Sequence, residues 1–336
     1  MWRYILRRVA AMPFILLGIV TVAFFASHVV GDPLASIVGL KALNRPEVVE
    51  AAKERWGLDG SLLQQYVRYL SNLLQGDFGT SFTTRKPVLD DVIDRLPATA
   101  ELTVVAMLMG GVGGIGLGVL AAARRGRIAD LGIRLFALLG SSVPVFWTGL
   151  IMLSVFYARL DWLPGPGRLD GRSTPPTDRT GFYTIDALLD GNTQLFWEAL
   201  MHLILPAFVL GWALIGGIAR TVRATVLDEL HADYVRTARA KGVKERSVFF
   251  AHVLRNAMLP VLTLLGLSFA ALLTGAVLTE TIFQWNGIGS YAVAATRSLD
   301  LAAVYGTAIL GGLVFLVVNL VTDILYSVAD PRVRLA

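Results

Sequence analysis

The sequence predicts an all-α integral membrane protein: six transmembrane helices, a folded helical extracytoplasmic segment between the first and second, and a cytoplasmic elbow between the fourth and fifth. Composition comes first among the reasons. Of 336 residues, 55% are hydrophobic and only 16% charged, with a mean hydropathy of +0.62, too apolar for a soluble domain of this length. Second, apolar runs recur that are long enough to cross a hydrocarbon core of ~30 Å. Third, arginines gather at alternate ends of those runs, which sets orientation.

Other classes are disfavoured by the same numbers. The net charge of +5 is spread among loops beside apolar runs rather than gathered in a patch, so nucleic acid is not an expected partner. Without cysteine there is no disulfide, thiolate metal site or Cys nucleophile. The histidines His28, His202, His231 and His252 fall in separate elements, so no metal site is expected. The chain lacks a phosphate-binding Gly-x-x-x-x-Gly-Lys-Ser/Thr loop, a His-Glu-x-x-His pair and a Gly-x-Ser-x-Gly elbow, so it is not expected to be an enzyme.

MWRYILRR gives a basic start, and Val9 to Val30 reads as an uncleaved first span with Pro13 near its inner end. Residues 31–96 form the outer segment. Asn44 and Glu47 have capping-box spacing before a helix ending near Trp56. Leu62, Tyr66, Val67, Leu70, Leu73 and Leu74 make an amphipathic stripe that stops at Gly76, suited to a membrane interface. PVLDDVIDRLP reads as a further short helix opened by Pro87.

The membrane core occupies 97–336. Its second span, Ala98 to Ala123, carries Glu101 near the outer end. Gly111, Gly113 and Gly116 match a dinucleotide fingerprint in spacing only; Gly110, Gly114 and Gly118 lie on one helical face and predict close helix packing. The third span, Leu131 to Tyr157, has Pro144 inside it as a kink. The outer loop from Asp161 to Glu198 is the most irregular stretch, bracketed by Tyr157, Trp162 and Trp197 as an aromatic belt. Leu200 to Ala219 is the fourth span, with Arg220 and Arg223 marking its cytoplasmic exit. Leu259 to Ile282 and Leu301 to Leu325 are the fifth and sixth.

The elbow, 232–256, is polar and basic and breaks at Gly242. Before the break Tyr234, Val235 and Ala238 recur at helical spacing; after it come Val248, Phe249, Val253 and Leu254. Gly242 suits a helix C-terminus because a residue without Cβ adopts φ > 0 cheaply, and Arg239 and Lys241 complement the helix dipole there. Periodicity leaves two readings: a knob for another protein to grip, or a basic loop that fixes topology. Among polar residues near spans, Glu101, Ser142, Glu280 and Asn319 are candidates for a translocation pathway, with local structural pairing as the alternative for each.

The elbow resembles the cytoplasmic loop of binding-protein-dependent ABC importer permeases, specifically the dipeptide, oligopeptide and nickel family and the subunit type written first in such operons. Arg236, Thr237 and Ala238 stand where the general pattern has Glu-Ala-Ala, Gly242 holds its glycine, and Leu259 and Pro260 its closing pair. ARAKG and AHVLRNAMLP are similar to the peptide-permease branch, as are GDP at Gly31 to Pro33, GLD at Gly57 to Asp59, GDFG at Gly76 to Gly79, TETIF before QWNGIG, and the tail DPRVRLA. Asn286 replaces the proline usual before Gly287.

The resemblance implies a second permease of similar fold, two ABC ATPase subunits and an extracytoplasmic substrate-binding protein, in a bacterial inner membrane; the arginines of the inner segments, among them Arg3, Arg7, Arg8, Arg332 and Arg334, predict that both termini are cytoplasmic. The resemblance implies no cofactor in this chain, with ATP and Mg held by the ATPases. The stretch of Asp233, Tyr234, Arg236, Thr237, Ala238, Arg239, Ala240, Lys241, Gly242 and Val243 would then be the coupling helix and its bend. Tyr234, Ala238 and Val243 would supply apolar contacts and Arg236, Arg239 and Lys241 polar ones. Peptides are the expected substrate, with nickel complexes, glutathione and oligosaccharides as alternatives. An ion-gradient-driven transporter and a membrane scaffold or receptor are the rival classes.

Overall fold

The computed structural model describes residues 2–30, 44–56, 58–273 and 276–329, with the single positions Leu34 and Val38. GDP at 31–33, Gly57 of the GLD match and the DPRVRLA tail lie outside the described residues. Within them the protein is an α-helical membrane bundle. Four helices contain stretches long and apolar enough to cross a bilayer, within 6–26, 88–123, 193–230 and 301–322, and two bent pairs bring the total to as many as six.

Helix α1 runs Trp2–Val30. In the outer segment α2 is Pro46–Trp56 and α3 is Leu62–Leu74. Arg45, not Asn44, closes the first turn of α2, its carbonyl accepting from Val48 and Val49 at 3.1 Å; Pro46 takes the first helical position, where a missing N–H costs nothing. The capping box forms one helix later. Ser61 Oγ accepts from Gln64 N while Gln64 Oε1 accepts from Ser61 N at 2.8 Å. On α3, Tyr66 and Tyr69 turn inward to meet Phe24 of α1 and Tyr305 of the last helix at ring separations of 5.3 and 5.1 Å. Leu62, Val67 and Leu74 face outward, as an interfacial helix requires.

PVLDDVIDRLP is not a separate helix. Helix α4 runs unbroken through Pro97 from Val88 to Ala123. Proline removes one hydrogen bond, but Val88, Val92, Ala98 and Leu102 on either side are buried, and that packing overrides the local preference. At 36 residues the helix is roughly 54 Å long and projects beyond the membrane. Helices α5, Ile128–Ser142, and α6, Val145–Met152 continuing as a π-helix through Arg159, replace the kinked third span. They meet at 105°, a sharp corner rather than a kink. Val143 is extended at φ −80°, ψ 132°, because the residue before a proline is pushed out of the helical region.

Helix α7 is Tyr183–Leu189, and α8 runs Thr193–Leu230, well beyond the expected Leu200 to Ala219. Arg220 and Arg223 sit within it, so the helix continues past the expected membrane exit. Helix α9 is Asp233–Ala240. A short lead-in through Glu245–Ser247 and a π-turn Val248–Val253 enter α10, Leu254–Leu273, with a 46° bend about Pro260. Then come α11, Val277–Ile282, α12, Ile288–Ser298, and α13, Leu301–Ala329.

The spine of the fold is α4 against α8. A Cβ at Gly110, Gly114 or Gly118 would lie 2.7 Å from Leu214, Ile218 or Val222 of α8, closer than real side-chain carbons approach. The glycine face therefore sets the spacing, since in lipid close van der Waals contact drives association. A second crossing the spacing did not reveal joins α5 to α8: a Cβ at Gly140 would meet the Trp212 carbonyl at 2.5 Å, and one at Gly216 the Ala137 carbonyl at 2.5 Å. Helix α13 packs between α1 and α10.

Candidate coupling elbow and transport pathway

Helix α9 is eight residues long, too short to persist alone in water, and three contacts hold it. Val235 is fully buried, in a cluster with Val222, Val226, Val248 and Val253. Val248 and Val253 are five apart, and the π-turn brings both to the same buried side. At the other end Gly242 takes φ +77°. Its N–H donates to the Arg239 carbonyl at 2.9 Å and the Val243 N–H to the Ala238 carbonyl at 3.2 Å. These two bonds make a Schellman cap with Gly242 as the left-handed residue. Arg239 then reaches across the bend: Nε donates to Glu245 Oε1 at 2.7 Å and Nη2 to Oε2 at 3.2 Å.

The result is a stub anchored by one side chain and presenting the rest. Asp233, Tyr234, Arg236, Thr237, Arg239, Ala240, Lys241, Gly242 and Val243 are exposed and Ala238 is half-buried. Tyr234 donates to Glu229; burial first and this carboxylate second push its phenol above the usual value. Arg236 pairs loosely with Asp233 at 3.5 Å. Sequence periodicity located the stub but not Glu245, because a partner six residues away across a glycine follows no helical spacing.

The four pathway candidates do not converge. Glu101 and Glu280 enter neighbouring networks at one end of α4. Glu101 is 2% exposed. Its Oε2 accepts from Arg168 Nη2 at 2.6 Å, and its Oε1 from the Thr184 N–H at 2.9 Å and hydroxyl at 2.7 Å. The Arg168 guanidinium lies 3.5 Å over the Tyr183 ring and also donates to the Gly181 carbonyl at 2.8 Å. Glu280 is fully buried; Thr99 Oγ1 donates to it at 2.7 Å and Ser290 N at 2.9 Å. Both carboxylates thus have their acceptor positions committed within the fold. Ser142 is exposed at the α5–α6 corner, and Asn319 is half-buried on α13.

The irregular loop after α6 is consequently a folded plug. Besides Arg168, its Gly167 N–H donates to the Phe283 carbonyl at 2.8 Å, and the Gly167 carbonyl lies 3.1 Å from His202 Nδ1. Asp186 receives backbone N–H bonds from Thr180 and Gly181 at 3.0 and 2.9 Å. No pattern in a Pro/Gly-rich stretch marks Arg168 as the partner of a glutamate 67 residues earlier. At QWNG, Asn286 takes φ +52°, a conformation closed to the proline it replaces, so the departure changes backbone as well as side chain.

Comparison with known proteins shows the family to which the chain belongs. Residues 114–335, which include the elbow, match the family described as binding-protein-dependent transport system inner membrane component. Residues 1–103 match the N-terminal membrane component of the same systems. The chain belongs to this permease family. It is 42% identical over 333 residues to the probable D,D-dipeptide transport system permease protein DdpB of Escherichia coli strain K12, covering 99% of this chain and 97% of that one. It is 43% identical over 335 residues to the di/tripeptide transport system permease protein DppB of Pseudomonas aeruginosa, covering 99% of each. It is also 35% identical over 335 residues to the glutathione transport system permease protein GsiC of Escherichia coli, again covering 99% of each. As a member of this permease family, the chain is a membrane component of a transport system.

Proposed function

We propose that this chain is one of two permease subunits of an ATP-driven importer of di- or oligopeptides in a bacterial inner membrane, with both termini cytoplasmic. A second permease completes the pathway, two ABC ATPases bind ATP and Mg, and an extracytoplasmic binding protein delivers substrate. Two groups of residues carry the working parts. The elbow from Asp233 to Lys244 seats in a cleft of an ATPase subunit, so that closure on ATP moves α8 and α10 and alternates access. The folded end, where Arg168 and Glu101 join the plug to α4, keeps the outer part of the bundle rigid while the elbow end moves.

The observation that carries this reading is the elbow itself. A short helix with Val235 as its buried anchor, closed by a Schellman cap and further clamped by Arg239–Glu245, is rigid enough to transmit a push, while its remaining side chains stay available to a partner. Peptides are favoured as substrate because the matched relatives include dipeptide and di/tripeptide permeases; glutathione, the substrate of a further relative, is itself a peptide.

Gly242→Val tests the coupling. A β-branched residue at φ +77° costs about 1–3 kcal/mol locally, enough to unwind the cap but not a membrane bundle. Uptake of a labelled dipeptide by vesicles containing the full complex is expected to fall at least tenfold, and the ATPases to be lost on purification, with membrane insertion normal. Unchanged uptake removes the bend from the mechanism. Comparing wild-type vesicles with and without trapped ATP separates the importer from an ion-gradient-driven transporter and from a scaffold.

A further inference from the structure

We infer that the cleft between α5 and α8, at the end of the bundle next to the RRGR loop, is a binding site for an anionic glycerophospholipid. The cleft has a volume of about 330 Å³ and is lined by Ala121, Leu131, Leu138 and Ala219 together with Arg134 and Arg220. Arg223 also borders it but is neutralised: its Nε and Nη2 donate to the two oxygens of Asp130 at 2.8 and 2.9 Å. Asp130 attracts Arg134 as well, yet its oxygens are occupied by Arg223 and by the Gly126 N–H at 3.0 Å. Among the described residues Arg134 has no hydrogen bond or ion pair. Arg220 reaches only neutral acceptors, Ser141 Oγ at 2.9 Å and the Gly216 carbonyl at 3.5 Å.

Two guanidinium groups that make no ion pair among the described residues therefore flank an apolar cleft on membrane-spanning helices. An ionised group at membrane depth is costly unless paired, and guanidinium matches a phosphate through parallel N–H···O bonds. The remainder of the surface fits the remainder of a lipid. Leu131, Leu135 and Leu138 are 53, 51 and 52% exposed along the same helix, a continuous apolar strip on which an acyl chain can lie while its headgroup meets the arginines. Basic pockets between membrane helices are known to take acidic headgroups in this way. The site does not depend on which solute the complex transports.

Native mass spectrometry of the full complex in detergent, titrated with phosphatidylglycerol or phosphatidylcholine, provides the test. Wild type is expected to retain phosphatidylglycerol in preference. Arg134→Gln with Arg220→Gln is expected to bind it roughly 25-fold more weakly, from about fivefold per arginine, and the double lysine variant to recover most of the loss. Arg124→Gln, a basic residue of the adjacent loop outside the cleft, removes one charge and is expected to leave retention unchanged. If the double glutamine variant fails to assemble, the single variant of exposed Arg134 still reads a fivefold loss. Equal retention of both lipids overturns the site, as does undiminished phosphatidylglycerol binding by the glutamine variants. Displacement of the lipid by a dipeptide also overturns it, assigning the cleft to the transport pathway.

Discussion

Apart from the buried Asp130–Arg223 pair beside the RRGR loop, the Glu101 end of the α4–α8 spine and the elbow handle charge in opposite ways. At the Glu101 end, Glu101, Glu280, Asp91, Asp186 and Asp300 are all buried, and each oxygen-rich group is met by hydroxyls, backbone N–H groups or an arginine. At the elbow end, Asp233, Arg236, Arg239 and Glu245 form ion pairs that stay in solvent, while one apolar side chain and a glycine turn fix the backbone. A buried carboxylate is costly unless satisfied, so the first end is held by several neighbouring networks, each closed around its own carboxylate. The second end separates support from display, and its surface charges are free to be exchanged for a partner's.

The comparison is broken most directly at Glu101. Glu101→Ala strands Arg168, whose side chain is 11% exposed, and such a loss costs about 3–5 kcal/mol. Thermal unfolding in detergent is expected to show a large drop, with proteolysis appearing first in the loop around Arg168. A change under 1 kcal/mol would mean that water replaces the carboxylate and that this end is not a sealed network.

A smaller effect is expected from acid. Burial works to raise the Asp186 carboxyl, but the Thr180 hydroxyl and the N–H groups of Thr180, Arg179 and Gly181 outweigh it, and the group lies below its ordinary 3.8. A carboxyl whose pKa is lower folded than unfolded binds protons more readily when unfolded. Its contribution is therefore present above about pH 4 and lost as pH falls through the folded value. Protease susceptibility of 161–192 is expected to rise in that window in the wild type. In Asp186→Asn it should be higher at neutral pH and insensitive to acid.

The smallest stability change belongs to the elbow. Arg239→Ala or Glu245→Ala removes a solvent-screened, exposed pair, so unfolding should shift little. Uptake is expected to fall more than the stability loss accounts for, because the clamp across Gly242 holds the angle of the stub. Equal effects on stability and uptake would erase the distinction between the two ends.

Much of this is readable from the chain in one dimension because its physics is local. The long apolar runs, the glycine face at Gly110, Gly114 and Gly118, and the break at Gly242 each follow from a periodicity or from the conformational range of one residue. A misreading arose where burial overruled a local signal, at Pro97, through which α4 continues. At Pro144 the signal was read correctly as a disruption but understated, since local rules give the presence of a break and not its 105° angle. The fate of Glu101 and Glu280 was beyond sequence reasoning altogether. Each was recognisable as a polar group that needs a partner, but Arg168 and Thr99 lie 67 and 181 residues away, and such pairings exist only once the loops are laid across the helices.

By itself, then, the sequence determined the solvent in which this protein lives, the helical character of its spans, and the place where the chain turns back on itself at a glycine. Those are consequences of apolar area and backbone sterics, which act over a few residues at a time. The tertiary structure alone decided which charges are sealed and which are offered, because desolvation depends on what the rest of the chain brings to within a few ångströms, and no spacing along the chain encodes that.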